Sequence, residues 1–132
     1  MEEAKDANAF EKLGIHMVVP EEATDVQYYT INGEVADIRF TMDEVNYTWR
    51  ASNTAEDFAG IFERFKDNPS TLEYDYGTGK LEALVKTTES GGRLAEWTWG
   101  DTVYTLYTSQ AVEDDVVNAV VLKLVELSQY EK

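Results

Sequence analysis

The sequence predicts an α+β domain: an antiparallel β-sheet meander of about seven strands, with a short N-terminal helix and a C-terminal amphipathic helix packed on its apolar face. Three observations carry that prediction. Between Val26 and Thr108, short runs of alternating apolar and polar residues are separated by turn signals, chiefly Asn32-Gly33, Gly91-Gly92 and Gly100-Asp101. Taken in sequence, those turns put the apolar side chains of successive runs on one face. From Val112 to Tyr130 the apolar period changes to that of a helix.

Ala4 to Leu13 reads as a short helix, with Ala7, Phe10 and Leu13 on one side and Gly14 placed to end it. Ile15, Met17 and Val19 then alternate with His16 and Val18 up to Pro20, as in a short extended segment. A two-residue turn at Asn32-Gly33 would set Ile31 opposite Glu34, Tyr29 opposite Ala36 and Gln27 opposite Ile38. Tyr29, Ile31, Ala36, Ile38 and Phe40 would then share the buried face. A second tight turn at Asp43-Glu44 sets Met42 against Val45, Phe40 against Tyr47 and Ile38 against Trp49. It also brings Asp37 opposite Arg50, an opposite-charge pair. Thr54 is placed to cap a short helix through Glu56, Asp57 and Phe58, which Gly60 would stop. Ile61 to Lys66 shows no clear period, and Asn68-Pro69-Ser70 reads as a loop.

Leu72, Tyr74 and Tyr76 open a second meander. A four-residue loop from Gly77 to Lys80 aligns Tyr76 with Leu81 and Tyr74 with Ala83. A two-residue loop at Gly91-Gly92 would mix the faces by setting Lys86 against Trp97. A three-residue loop, Ser90 to Gly92, sorts them, pairing Val85 with Trp97, Lys86 with Glu96 and Thr87 with Ala95. Gly100-Asp101, with Gly first, pairs Trp97 with Tyr104 and Ala95 with Leu106. In the tail, Val116, Val117, Val120, Val121, Leu124 and Leu127 form the helical stripe. Glu113, Asp114 and Asp115 lie near its start and Lys123 and Lys132 toward its end, as the helix dipole favours. Valine is a poor helix former, so packing on the sheet must hold this segment.

Composition bounds the function. A chain of 132 residues fits a single domain spanning 1–132, and 43% hydrophobic with 12% aromatic residues is too apolar for disorder. The absence of cysteine excludes disulfides, thiolate nucleophiles and cysteine zinc sites. Acidic residues outnumber basic ones 26 to 11, for a formal charge of -15, and no Lys/Arg cluster exists. That argues against nucleic acid and against an anionic membrane surface. No run approaches the ~20 apolar residues of a membrane span, so no insertion is expected. Met1-Glu2-Glu3-Ala4-Lys5-Asp6 carries neither the basic flank nor the apolar core of a secretion signal. Taken alone, that start predicts a cytoplasmic protein.

The chemistry-bearing residues fall into no catalytic pattern. His16 is the only histidine, and no motif supplies it with a nucleophile or an orienting carboxylate. Glu21-Glu22, Asp43-Glu44 and Asp114-Asp115 sit at turns and helix starts, where solvated or capping acids belong. A glycosidase instead needs two carboxyls ~5 to 9.5 Å apart across a cleft. Nothing matches a calcium loop, and no metal or cofactor is expected. Gly77, Gly79, Gly91 and Gly92 precede strands rather than helices, so they do not read as phosphate cradles. Asn46-Tyr47-Thr48 fits the glycosylation sequon but falls on a strand. The aromatic set is the strongest candidate: Trp97 and Trp99 beside Tyr104, with Trp49 and Tyr47 on the other meander. Such rows stack on sugar rings or receive peptides, although the register assigns them to the face under the helix. Tyr28 and Tyr107 fall on the opposite face and are better placed for exposed contacts. Tyr28, Tyr107, Trp97 and Trp99 are therefore the candidate ligand-binding residues.

Leu13-Gly14-Ile15 leading to Val19-Pro20, then Asn32-Gly33-Glu34-Val35-Ala36, Tyr47-Thr48-Trp49-Arg50-Ala51, Glu56-Asp57-Phe58-Ala59-Gly60 and the Trp97 to Leu106 hairpin form a recurring pattern. It resembles a family of uncharacterised domains in predicted secreted proteins and lipoproteins of Gram-positive, largely anaerobic gut bacteria. The resemblance covers nearly the whole chain. Glu44 departs from it, where glycine is expected after the turn aspartate. The family carries no agreed activity, so no functional residue is transferred. What the resemblance implies is location, extracellular or anchored at the cell surface, against the cytoplasmic reading. The expectation is a monomeric, non-catalytic surface domain that binds a protein, peptide or envelope component. The alternative is a carbohydrate-binding module using exposed aromatic side chains.

Overall fold

The computed structural model describes residues 2–54, 64–66, 69–75 and 79–128. Its strands are β1 (Glu2–Ala4), β2 (Thr24–Ile31), β3 (Val35–Met42), β4 (Val45–Ser52), β5 (Ser70–Asp75), β6 (Lys80–Thr87), β7 (Arg93–Trp99) and β8 (Thr102–Thr108), followed by helix α1 (Asp114–Ser128). Tight connections keep chain neighbours antiparallel, and two meanders meet along their last strands, β4 and β8. The result is one eight-stranded sheet ordered β1-β2-β3-β4-β8-β7-β6-β5. The α+β class and the antiparallel sheet stand as expected, with one strand more. The extra strand is β1, a three-residue segment paired to β2 through Glu3↔Tyr29.

The expected N-terminal helix shrinks to a 3-10 helix, Ala7–Leu13. Seven residues lie below the length at which an α-helix sustains itself, and the tighter turn suits a short piece. Asp6 caps it by accepting from the Asn8 N–H at 2.9 Å. Gly14, at φ 69°, ends it and donates to the Glu11 carbonyl at 3.0 Å. Phe10 is fully buried, and Ile15 and Met17 point inward while His16 and Val18 are exposed. The expected helix after Thr54 lies largely outside the described residues. Within the ambiguous stretch, Phe65 bridges to Thr88.

Two tight turns deliver the expected registers. Across Asp43-Glu44, Met42 pairs Val45, Ile38 pairs Trp49 and Asp37 pairs Arg50. Across Gly100-Asp101, Trp97 pairs Tyr104 and Ala95 pairs Leu106. Two longer connections begin one residue earlier than expected: the pairing resumes at Asp75↔Lys80, and Thr88 bonds to Gly92 across a three-residue loop. Tyr74 therefore meets Leu81, and Val85 meets Ala95. These registers differ by two residues from expectation, so every side chain keeps its face.

The Asn32 turn is different. Ile31 pairs Val35, not Glu34, because the connection holds three residues. A one-residue slip turns β2 over. Tyr28, expected opposite the core, lies on the core face beside Ile38, with its ring 6.1 Å from Phe10. Tyr29 and Ile31 take the other face.

On the core face Tyr104 lies between two tryptophans, 6.0 Å from Trp49 and 5.5 Å from Trp97, both stacked. The Tyr104 hydroxyl donates to the His16 carbonyl at 2.8 Å, which ties the N-terminal segment to β8. Over this face α1 buries Val117, Val120, Val121, Leu124 and Val125, whereas Val116 of the expected stripe is exposed. Arg93 sets where the helix begins: its Nη1 donates to the Val112 carbonyl at 3.1 Å and its Nη2 to the Asp114 carboxylate. Packing, with that anchor, compensates for the valine-rich composition.

Candidate functional site

The face opposite α1 is built by the alternate residues of each strand, and the register lines them up in rows. The central row runs Tyr29, Asp37, Arg50, Thr105, Glu96, Leu84 and Thr71 across seven strands. Asp37 is fully buried and accepts from Arg50 Nε at 2.8 Å and Arg39 Nε at 3.2 Å. The Arg39 guanidinium also lies 4.8 Å from the Tyr29 ring centroid, a cation–π contact that the slipped β2 register makes available. Two arginines thus converge on one buried carboxylate. Farther along, Lys86 Nζ approaches Glu96 at 3.7 Å and the Phe65 ring at 5.4 Å.

A groove opens at each end of this face. One, of about 390 Å³, is lined by Gln27, Arg39, Asn46, Thr48 and Tyr107 among others. The other, of about 590 Å³, lies over β6 and β7 and is lined by Lys80, Glu82, Leu84, Glu96, Thr98 and Trp99 among others. The smaller groove is lined mainly by hydroxyl and amide side chains, and the larger mixes Glu82, Glu96, Thr71 and Thr98 with Leu81, Leu84, Trp97, Trp99 and Val103. His16 lines neither groove. Among the described residues no group of three or more His, Asp or Glu side chains is placed to hold a metal, and no helix is long and apolar enough to cross a membrane.

The four candidate residues therefore separate. Tyr107 is half-buried on the expected face, at the wall of the smaller groove. Trp97 and Trp99 both border the larger groove, but the Trp97 side chain is buried in the core and Trp99 is half-buried at the rim. Tyr28 contributes to neither groove and packs against the core. Sequence reasoning missed Glu82, Thr98 and Thr48, since polar residues alternating along a strand give no signal beyond solvent exposure. It also missed Tyr29, whose face was inverted by the turn.

One shifted group lies on the helix side. Burial, and then the charge of Asp43, hold the Tyr47 phenol above its ordinary value. Its hydroxyl has no hydrogen-bond partner among the described residues. Tyr47 borders the smaller groove, but its hydroxyl oxygen is buried.

Against known proteins, no family model, no curated sequence and no solved structure matches the chain.

Proposed function

We infer that this is a non-catalytic binding domain that engages a protein or peptide partner with the sheet face opposite α1. The observation that carries the reading is the division of labour between faces. The helix and the aromatic core occupy one side, while the other presents two grooves flanking the Asp37–Arg50–Arg39 cluster. Fixed strands hold those groups at defined spacings, as a recognition surface requires. The resemblance read from the sequence adds a location outside the cell or at its surface, where binding domains without cofactors are common.

A carbohydrate-binding role is the second reading, favoured by one observation: Trp99 forms part of the rim of the larger groove, between Thr98 and Gly100. A half-exposed indole beside carboxylates and hydroxyls is a known sugar platform. Peptide and glycan arrays probed with the intact chain and with Tyr107→Ala and Trp99→Ala decide between them. Peptide signals weakened by either substitution are expected. Glycan signals alone, abolished by Trp99→Ala, would replace the first reading with the second.

A further inference from the structure

The ladder between β6 and β7 is shorter than the strands that make it. It runs from Thr87↔Arg93 to Leu84↔Glu96 and stops there. Yet β6 continues back to Lys80, paired to β5, and β7 continues to Trp99, paired to β8. Extending the register would set Ala83 against Trp97 and Glu82 against Thr98, and neither pair forms.

The backbone directions across this gap follow from one bond. The Thr88 N–H donates to the Gly92 carbonyl at 2.8 Å. In an antiparallel ladder, every second residue turns its N–H and C=O toward the same neighbour. The even-numbered residues of β6 therefore point their backbone groups at β7, and those of β7 point back. Glu82 and Thr98 thus aim N–H and C=O groups at each other with no ladder bond between them. The larger groove lies over this gap.

Each lip belongs to a hairpin that is paired on its far side only. Asp75↔Lys80 and Tyr74↔Leu81 hold one lip, and Trp97↔Tyr104 and Trp99↔Thr102 hold the other. Moving the lips apart breaks no ladder bond between them, and an added strand needs a spacing of ~4.8 Å on each side. The chemistry of the walls differs by face. Toward α1 they present Leu81, Ala83, Trp97 and Trp99; on the other face they present Glu82, Leu84, Glu96 and Thr98. Glu73 and Glu82 are directly opposed across β5 and β6, an unfavourable like-charge pair, which Lys80 Nζ, 3.8 Å from Glu73, partly offsets.

We propose that the gap between β6 and β7 receives an extended polypeptide segment alternating basic and apolar residues. Its backbone pairs with Glu82 and Thr98, its lysines or arginines lie against Glu82 and Glu96, and its apolar residues turn toward Trp97 and Trp99. This rests on the binding-domain reading and adds the strand position and the chemistry of the partner.

The test is titration of the intact chain with a capped, labelled (Lys-Val)4 peptide by fluorescence anisotropy, with amide hydrogen exchange followed by NMR. Two comparators isolate the contributions: (Glu-Val)4, and (Lys-Val)4 N-methylated at alternate residues, which keeps charge and side chains but removes backbone donors. The parent peptide is expected to bind at least about tenfold more tightly than either comparator, the change that one or two lost hydrogen bonds produces. Exchange at the Glu82 and Thr98 amides should slow in the complex. Glu82→Lys should weaken binding by about tenfold while its thermal unfolding shows an intact fold. N-methylated peptide binding as well as its parent, or unchanged exchange at those two amides, overturns the proposal. If peptides bind but protect amides around Thr48 and Tyr107 instead, this inference fails while the binding-domain reading stands. Binding of glycans alone removes both.

Discussion

Replacing Tyr47 with phenylalanine should stabilise the protein, and the reason lies in one oxygen atom. Tyr47 is 2% exposed on the core face of β4, its ring stacked on Phe40 at 5.4 Å, and its hydroxyl meets no hydrogen-bond partner among the described residues. A hydroxyl withdrawn from water without compensation costs about 1–3 kcal/mol on protein mutational scales. Phenylalanine keeps the ring and its stacking and gives up only the dispersion contacts of one atom, a few tenths of a kcal/mol. The net expectation is a gain of about 1–2 kcal/mol, or roughly 3–8 °C in Tm for a domain of this size. The effect also depends on pH. Burial and Asp43 raise the Tyr47 pKa in the folded state above its unfolded value. Stability from this group is therefore complete below about pH 10 and falls as pH rises beyond it, because the unfolded chain ionises first. Tyr47→Phe lacks that loss, so its advantage should widen above about pH 10. Urea unfolding of both proteins by circular dichroism, near pH 7 and again above about pH 10, measures both effects. A destabilised variant would show that the hydroxyl is hydrogen-bonded. An advantage that does not change with pH would show that the phenol titrates alike in both states.

Three further outcomes follow from particular residues. Glu44 holds φ 67° at the second position of the β3–β4 turn, so Glu44→Gly should raise the unfolding free energy by about 0.5–1 kcal/mol, seen as a higher urea midpoint with an unchanged m value; a loss would show that the side chain contributes more than the strained backbone costs. Asp37 is fully buried and bonded to both Arg39 and Arg50, and Asp37→Asn should cost about 3 kcal/mol by removing the charge from a buried ion-paired carboxylate; a cost under about 1 kcal/mol would mean that solvent screens the cluster. At Gly92 an added Cβ would lie 2.8 Å from the Thr108 carbonyl oxygen, so Gly92→Ala should lower stability by about 1–3 kcal/mol in the same assay, and a neutral result would show that the β6–β7 loop yields easily.

Much of the sheet was legible because side-chain direction in a strand depends only on whether a register is odd or even. Asp43-Glu44 and Gly100-Asp101 allow only the shortest connection, and the pairs they imply are the pairs that form. At the loops before β6 and β7 the pairing differs by two residues, yet Leu81, Val85 and Trp97 still point to the core, since a shift of two restores the face. Around Asn32-Gly33 the connection is longer by one, and that single residue exchanges Tyr28 with Tyr29. The tail helix was legible from its period, but Val125 rather than Val116 is buried, because the sheet it lies on chooses which side of the stripe to cover.

The candidate site was legible only in fragments. Tyr107 and the pairing of Asp37 with Arg50 follow from local register, and Trp97 was expected under the helix, where it is. Nothing local distinguishes Glu82 and Thr98 from other exposed strand residues. The strand β1 was equally hidden, three residues being too few to show a period. By itself, then, the sequence determined the α+β class, the two tight turns at Asp43-Glu44 and Gly100-Asp101, and the pairing of Trp97 with Tyr104, all properties of neighbours within a few positions. Only the tertiary structure decided the face of Tyr28, the burial of Asp37 and the end of the β6–β7 ladder at Leu84. Those depend on which distant backbones meet and where their hydrogen bonds run out, and no short window of residues contains that information.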